Sequence, residues 1–164
     1  MPEYRGPDAV PIKLDVNGEM RLLHGEPRLT LLDALRFGLG LTGAKKVCDR
    51  GDCGACTVLV DGHPMYSCLA LAVACEGKKI ETIEGRSSEV AAVQAAFIEH
   101  DAYQCGYCTP GQVMALAGLL RREARPSEDA VRNAVAGNLC RCGAYPNIVK
   151  AGVAAAANGA TRRR

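Results

Sequence analysis

Apolar and polar positions alternate at the start of the chain: Ile12, Leu14 and Val16 are apolar, with Lys13 and Asp15 between them. Side chains on a strand point to opposite faces in turn, so this pattern predicts a half-buried strand. Asn17-Gly18 follows as a hairpin turn pair, and Met20 to Leu23 can return as the second strand. Thr30 is placed to cap a helix through Leu31, Leu32 and Leu35, with Asp33 in the acidic position of a capping box. Gly38, Gly40 and Gly43 end that helix. Thr57 to Val60, the turn pair Asp61-Gly62 and His63 to Tyr66 predict a second hairpin, and Ile80 with Thr82 one more strand.

From about Ser87 the period changes. Val90, Val93, Ala96 and Phe97 share one helical face, as do Val113, Leu116, Ala117 and Leu120. Ser127, after Pro126, can cap a third helix through Val131 and Val135, and Pro146 suits the first turn of a fourth. The predicted fold is therefore α+β: a small sheet domain with one helix over residues 1–85, then a four-helix bundle over 86–164. Glu84 to Ser88 is the expected hinge.

Composition narrows the function. The chain has 164 residues, 48% of them hydrophobic, enough to fill a core, but only 4% are aromatic and none is tryptophan. That argues against a roomy site for an organic substrate. Twenty basic and 18 acidic residues leave a net charge of +2, which favours neither a nucleic-acid partner nor a membrane surface. The terminal Arg162, Arg163 and Arg164 read as a solvated tail or a subunit contact. No apolar run of about eighteen residues occurs, and the opening residues carry neither a secretory pattern nor a twin-arginine pair, so a soluble cytoplasmic protein is expected. In that reducing compartment nine cysteines suggest metal or redox ligation rather than disulfides.

Eight of the cysteines fall into two quartets. Cys48, Cys53 and Cys56 follow C-x4-C-x2-C, and eleven residues separate Cys56 from Cys68. This is the spacing of plant-type 2Fe-2S ferredoxins. Four thiolates make such a cluster anionic, so its loop needs backbone N–H groups aimed at sulfur, and Gly51 and Gly54 allow that approach. Cys105-x2-Cys108 and Cys140-x-Cys142 form the second set, each pair beside a predicted helix end. Helix N-terminal amides there would favour an anionic cluster. Two Zn(Cys)4 sites are the alternative, although a C-x-C pair is unusual for structural zinc; disulfides are the remaining one. Cys75 stands apart in an apolar run and reads as a small buried hydrophobe. His24, His63 and His100 form no metal-binding pattern and read as surface residues, and no acid-base pair, GxGxxG or P-loop is present.

The segments LTLLDALRFGLGLTGAKKVC, CDRGDCGACTV, SCLALAVACEGKKIETIEG, QCGYCTPGQ and GNLCRCGAYPNI occur in this order between about Ile12 and Val153. Together they resemble the iron-sulfur small subunit of the xanthine oxidase family of molybdenum hydroxylases, the bacterial aldehyde or xanthine dehydrogenase type more than the single-chain eukaryotic enzymes. The resemblance implies an N-terminal β-grasp ferredoxin-like domain whose cluster is held by Cys48, Cys53, Cys56 and Cys68. It implies a C-terminal helical domain whose cluster is held by Cys105, Cys108, Cys140 and Cys142. It also implies a large molybdopterin-binding partner subunit and an FAD-binding medium subunit or other acceptor. Gln104 would hydrogen-bond the pterin, and the sulfur of Cys142 would approach the pterin amino group. Val47 departs from the glycine that many members carry before the first cysteine, which puts the local loop conformation in question.

The resemblance further implies the oxidation of an activated C–H bond at a molybdenum in the partner, with aldehydes the first expectation and N-heteroaromatics such as purines the second. Two classes compete with this reading: a free-standing two-cluster ferredoxin and a zinc-stabilised interaction module. A large exposed apolar patch near Cys105 would argue against the ferredoxin.

Overall fold

The computed structural model describes residues 6–161, with side chains described as far as residue 157. The three terminal arginines lie outside the described residues. Strands β1 (Val10–Val16) and β2 (Glu19–Gly25) form the first hairpin, β3 (Thr57–Val60) and β4 (His63–Tyr66) the second, and β5 (Lys79–Glu81) joins them. The sheet order is β2-β1-β5-β3-β4, with β1 and β5 parallel and every other pair antiparallel. Both hairpin turns are made by the expected residues: Asn17 and Gly18 have φ of 55° and 81°, Asp61 and Gly62 of 50° and 80°. Left-handed backbone at both central positions matches the twist of the strands they connect.

Helix α1 (Leu31–Asp33) continues as a wider π turn over Ala34–Gly38 and covers the sheet with Leu31, Leu32, Ala34 and Leu35, all fully buried. Thr30 caps it as expected, its Oγ1 accepting from the Asp33 amide at 3.1 Å. Asp33 does something else: its carboxylate accepts from Lys46 Nζ at 2.9 and 3.0 Å, beside the first cysteine loop.

Helices α2 (Ser88–Glu99), α3 (Thr109–Arg122), α4 (Glu128–Val135) and α5 (Tyr145–Thr161) make up the second half. Ser87 caps α2, and Ser127 caps α4 with its Oγ accepting from Ala130 at 3.1 Å. Helix α3 is buried on every side from Gly111 to Leu120, so it forms the centre of this half rather than one amphipathic wall. Gly111 and Gly118, two turns apart on one face, let α3 close on the sheet domain. A Cβ at Gly118 would lie 2.6 Å from Pro64 Cγ, and one at Gly111 2.3 Å from the Gly54 carbonyl. Leu59 of β3 accordingly packs into the helical core.

The expected hinge is pinned at its start. Thr82 exchanges two hydrogen bonds with the Asn17 side chain, at 2.9 and 3.0 Å, and the Glu84 carboxylate accepts from the Gly43 amide at 2.8 Å. Among the described residues no helix is long and apolar enough to cross a membrane.

Candidate iron-sulfur sites

The first cysteine loop is irregular chain between α1 and β3, held from both ends. Arg36 donates to the carbonyls of Thr42 and Ala44 at 2.8 and 2.7 Å, and Lys46 bridges Asp33 to Asp49. Asp49, Gly51 and Gly54 adopt φ of 56°, 85° and 68°, which turns successive amides inward. The amides of Asp52 and Cys53 donate to Cys48 Sγ at 3.3 and 3.4 Å. The N–H of Arg50, with those amides, holds the Cys48 thiol down to about 6, favouring the thiolate that binds metal. Cys68 lies deeper, and burial, with the Cys56 thiol beside it, pushes it up to about 12. Ser67 anchors this pair, donating from both N and Oγ to the Cys56 carbonyl.

Cys105 and Cys108 lead into α3, with Cys108 at its N-cap, while Cys140 and Cys142 lie between α4 and α5. The Ala144 amide donates to Cys140 Sγ at 3.4 Å, and the Cys140 amide donates to the Tyr145 hydroxyl at 2.8 Å. The N–H of Tyr107, then the Cys142 side chain, lower the Cys105 thiol, whereas burial raises Cys108 to about 12. Cys105 and Cys142 are exposed and Cys140 is buried, so the second site has one open end. Thr109 Oγ1 is buried with no partner among protein atoms, directly after Cys108.

A seam of hydrogen bonds joins the two loops. The Leu139 amide donates to the Cys53 carbonyl at 2.9 Å. Buried Asn138 donates from Nδ2 to the Gly54 carbonyl at 2.8 Å and to Thr57 Oγ1 at 3.1 Å. Its own carbonyl accepts from Gln112 Nε2 at 2.6 Å, and the Tyr66 hydroxyl donates to the Gly137 carbonyl at 2.9 Å.

Within each quartet the thiols are bonded two by two, Cys48 with Cys53, Cys56 with Cys68, Cys105 with Cys142 and Cys108 with Cys140, and the pairs lie close enough for Cys48 to act on Cys68 and Cys105 on Cys108. Among the described residues no three His, Cys, Asp or Glu side chains converge on a point that could hold one metal ion. A single zinc needs four ligands around one centre, whereas a binuclear cluster places two thiolates on each iron. The two-by-two pairing, the amides aimed at sulfur and the orphaned Thr109 hydroxyl, a donor suited to a sulfur acceptor, all fit the binuclear group.

Residues 14–82 match the family described as 2Fe-2S iron-sulfur cluster binding domain, and residues 82–152 match the [2Fe-2S] binding domain. The aldehyde oxidoreductase iron-sulfur-binding subunit PaoA of Escherichia coli is 46% identical over 162 residues, covering 88% of this chain and 71% of that one. The nicotine 6-hydroxylase small subunit of Paenarthrobacter nicotinovorans is 44% identical, with 88% of each chain covered. Quinoline 2-oxidoreductase from Pseudomonas putida 86 superposes with a TM-score of 0.87 at 43% identity, covering 94% of this chain and 98% of that one. The chain belongs to the iron-sulfur subunits of the molybdenum hydroxylases of the xanthine oxidase family. Aldehyde oxidoreductase from Desulfovibrio desulfuricans superposes with a TM-score of 0.84, and there this chain covers only 17% of a much longer polypeptide. The two 2Fe-2S domains, the first a β-grasp fold, are those expected from the sequence.

Single residues of this molybdenum hydroxylase subunit can be set against their sequence readings one by one. Gln104 is exposed beside Cys105. Val47 is exposed and is not among the residues with left-handed backbone, so it enters the loop without the strain a lost glycine could bring. His24 and His63 are exposed as expected, while His100 is half-buried. Cys75 is buried in the sheet-domain core, its thiol raised by burial. Asn138, Gln112 and Leu139 were not singled out by sequence; the Gly111 and Gly118 spacing was the available sign that α3 approaches another layer.

Proposed function

We propose that this chain, as the electron-transfer subunit of its complex, takes single electrons from a molybdopterin centre on a large partner subunit and passes them to a flavin subunit or another acceptor. Cys105, Cys108, Cys140 and Cys142 hold the entry cluster, and Cys48, Cys53, Cys56 and Cys68 the exit cluster. A bound 2Fe-2S cluster supplies one-electron storage at a potential set by ligation, hydrogen bonds to sulfur and exposure. The domains run over 1–85 and 86–164. None of the nine cysteines is paired in a disulfide, which is consistent with a cytoplasmic setting.

The observation that carries the reading is the Leu139 to Cys53 hydrogen bond. Cys53 belongs to one quartet, and Cys140, bonded to Leu139, belongs to the other. The two ligand sets are thus linked by covalent bonds and one direct hydrogen bond. Gln104 and Cys142 are both exposed, which supports the reading that they meet the pterin. Tyr103, Tyr107 and Leu139 are 44%, 55% and 55% exposed near these cysteines. Such apolar surface suits burial against a permanent partner, and disfavours the free-standing ferredoxin.

Aldehydes are the first reading for the substrate of the complex, supported by the two aldehyde oxidoreductase relatives, and N-heteroaromatics the second, supported by the nicotine and quinoline enzymes. The substrate pocket belongs to the partner. The test is anaerobic reduction of the complex by its substrate, followed by electron paramagnetic resonance. Both clusters become reduced in the wild type, whereas Cys105→Ser leaves the plant-type cluster intact but unreduced. Full turnover by an assembled Cys105→Ser complex would defeat the relay.

A further inference from the structure

The seam between the domains contains a side chain that touches neither quartet yet fixes how the two meet. Asn138 is 3% exposed, and both ends of the residue are engaged. Its Nδ2 donates to the Gly54 carbonyl, between Cys53 and Cys56, and to Thr57 Oγ1, which itself donates to the same carbonyl at 2.6 Å. Its backbone carbonyl accepts from Gln112 of α3, a fully buried residue. The next residue donates to Cys53, and the one after is Cys140. Three glycines keep the seam closed: a Cβ at Gly54 would lie 2.7 Å from Asn138 Nδ2, one at Gly111 3.0 Å from it, and one at Gly137 2.2 Å from the Tyr66 hydroxyl.

We infer that Asn138 is a positioning residue for electron transfer between the clusters: its amide locks the plant-type loop onto the Leu139-Cys140 segment and so sets the separation of the two ligand sets. The inference rests on the proposed relay. An amide suits the task because it donates two hydrogen bonds without charge. A carboxylate in its place would repel the Gly54 carbonyl, and an alanine would take the one Asn138 donor from the Thr57 hydroxyl and leave the Gly54 carbonyl bonded within its own loop alone, to the Thr57 amide and hydroxyl. No bond forms or breaks when the electron passes, so geometry is what this residue contributes.

The test uses the assembled, iron-loaded complex. With both clusters reduced, two paramagnets held at fixed separation split each other's resonance signals. Hydrogen exchange at the Leu139 amide reports the contact to Cys53. Asn138→Ala is expected to retain wild-type iron and both cluster signals but to lose the mutual splitting and the Leu139 protection. It also slows the arrival of electrons at the plant-type cluster after the first cluster is reduced. Arg121→Met, which breaks an interdomain ion pair with Glu81 away from the seam, is expected to leave splitting and protection unchanged. Should Asn138→Ala lose iron, Gln112→Met replaces it, and a partial loss of splitting is expected. Unchanged splitting in the iron-replete variants overturns the inference, as does an equal loss in Arg121→Met. A wild-type complex without two iron clusters would instead defeat the underlying relay.

Discussion

The backbone N–H of Leu139 donates to the carbonyl of Cys53 at 2.9 Å, joining the segment before Cys140 to the first cysteine loop. The Leu139 side chain is 55% exposed, so an unbonded amide there would exchange quickly with solvent. The bond predicts the opposite. Hydrogen exchange at Leu139 is expected to be as slow as in the centre of α3, because release requires the domains to part. Fast exchange in the iron-loaded protein would mean that the seam is open in solution.

Gly54 and Gly40 separate two costs that glycine can avoid. Both have left-handed backbone, with φ of 68° and 71°. A Cβ at Gly40 meets nothing within 4 Å, whereas one at Gly54 would lie 2.4 Å from the Gly137 carbonyl. Gly40→Ala is therefore expected to cost only the backbone term, about 1 kcal/mol. Gly54→Ala adds the displacement of a backbone oxygen, for a total of about 3 kcal/mol or more. Urea unfolding of both variants measures the difference, and equal losses would contradict the close approach of the domains.

The ninth cysteine is outside the iron sites. Cys75 is 2% exposed within the sheet-domain core. Cys75→Ala is expected to keep the full iron content and to cost about 1 kcal/mol, the usual scale for a small core change. Cys68→Ser, removing a ligand of equal size, is expected to lower iron by about half, since one binuclear site of two is disabled. Iron analysis of the purified variants distinguishes them, and iron loss in Cys75→Ala would displace the ligand assignment.

Ion pairs in this fold differ by their burial. Glu81 of β5 is 14% exposed and pairs with Arg121 of α3, which is 29% exposed, across the domain boundary; Arg132 and Glu128 on α4 are 56% and 59% exposed. The surface pair is screened by water, and Arg132→Met is expected to cost under about 0.5 kcal/mol. Arg121→Met leaves a shielded carboxylate, and after discounting for its remaining exposure about 1–2 kcal/mol is expected. Denaturant midpoints decide this, and a smaller loss for Arg121→Met than for Arg132→Met would contradict the clasp.

Much of the fold was legible because its signals are local. The alternation at Ile12, Leu14 and Val16 marks β1, two turn pairs mark the hairpins, and Thr30 and Ser127 cap the helices expected of them. The cysteines were legible by spacing, a property of short loops. Asp33 was misread because a capping box and a long-range lysine partner call for the same acidic residue. The seam was not legible: Asn138 meets Gly54 across 84 positions, and such a contact imposes no period on the chain. The exposure of Gln104 was also hidden, since a single polar residue before a cysteine marks neither a buried nor an open position.

The most direct test of the central claim is to isolate this chain with its native partners and to measure iron, molybdenum and zinc per copy alongside the partner masses. Two binuclear clusters in a molybdenum hydroxylase predict about four irons and one molybdenum per copy, with a large companion chain. Zinc in place of iron, or iron with neither molybdenum nor a companion, would contradict it.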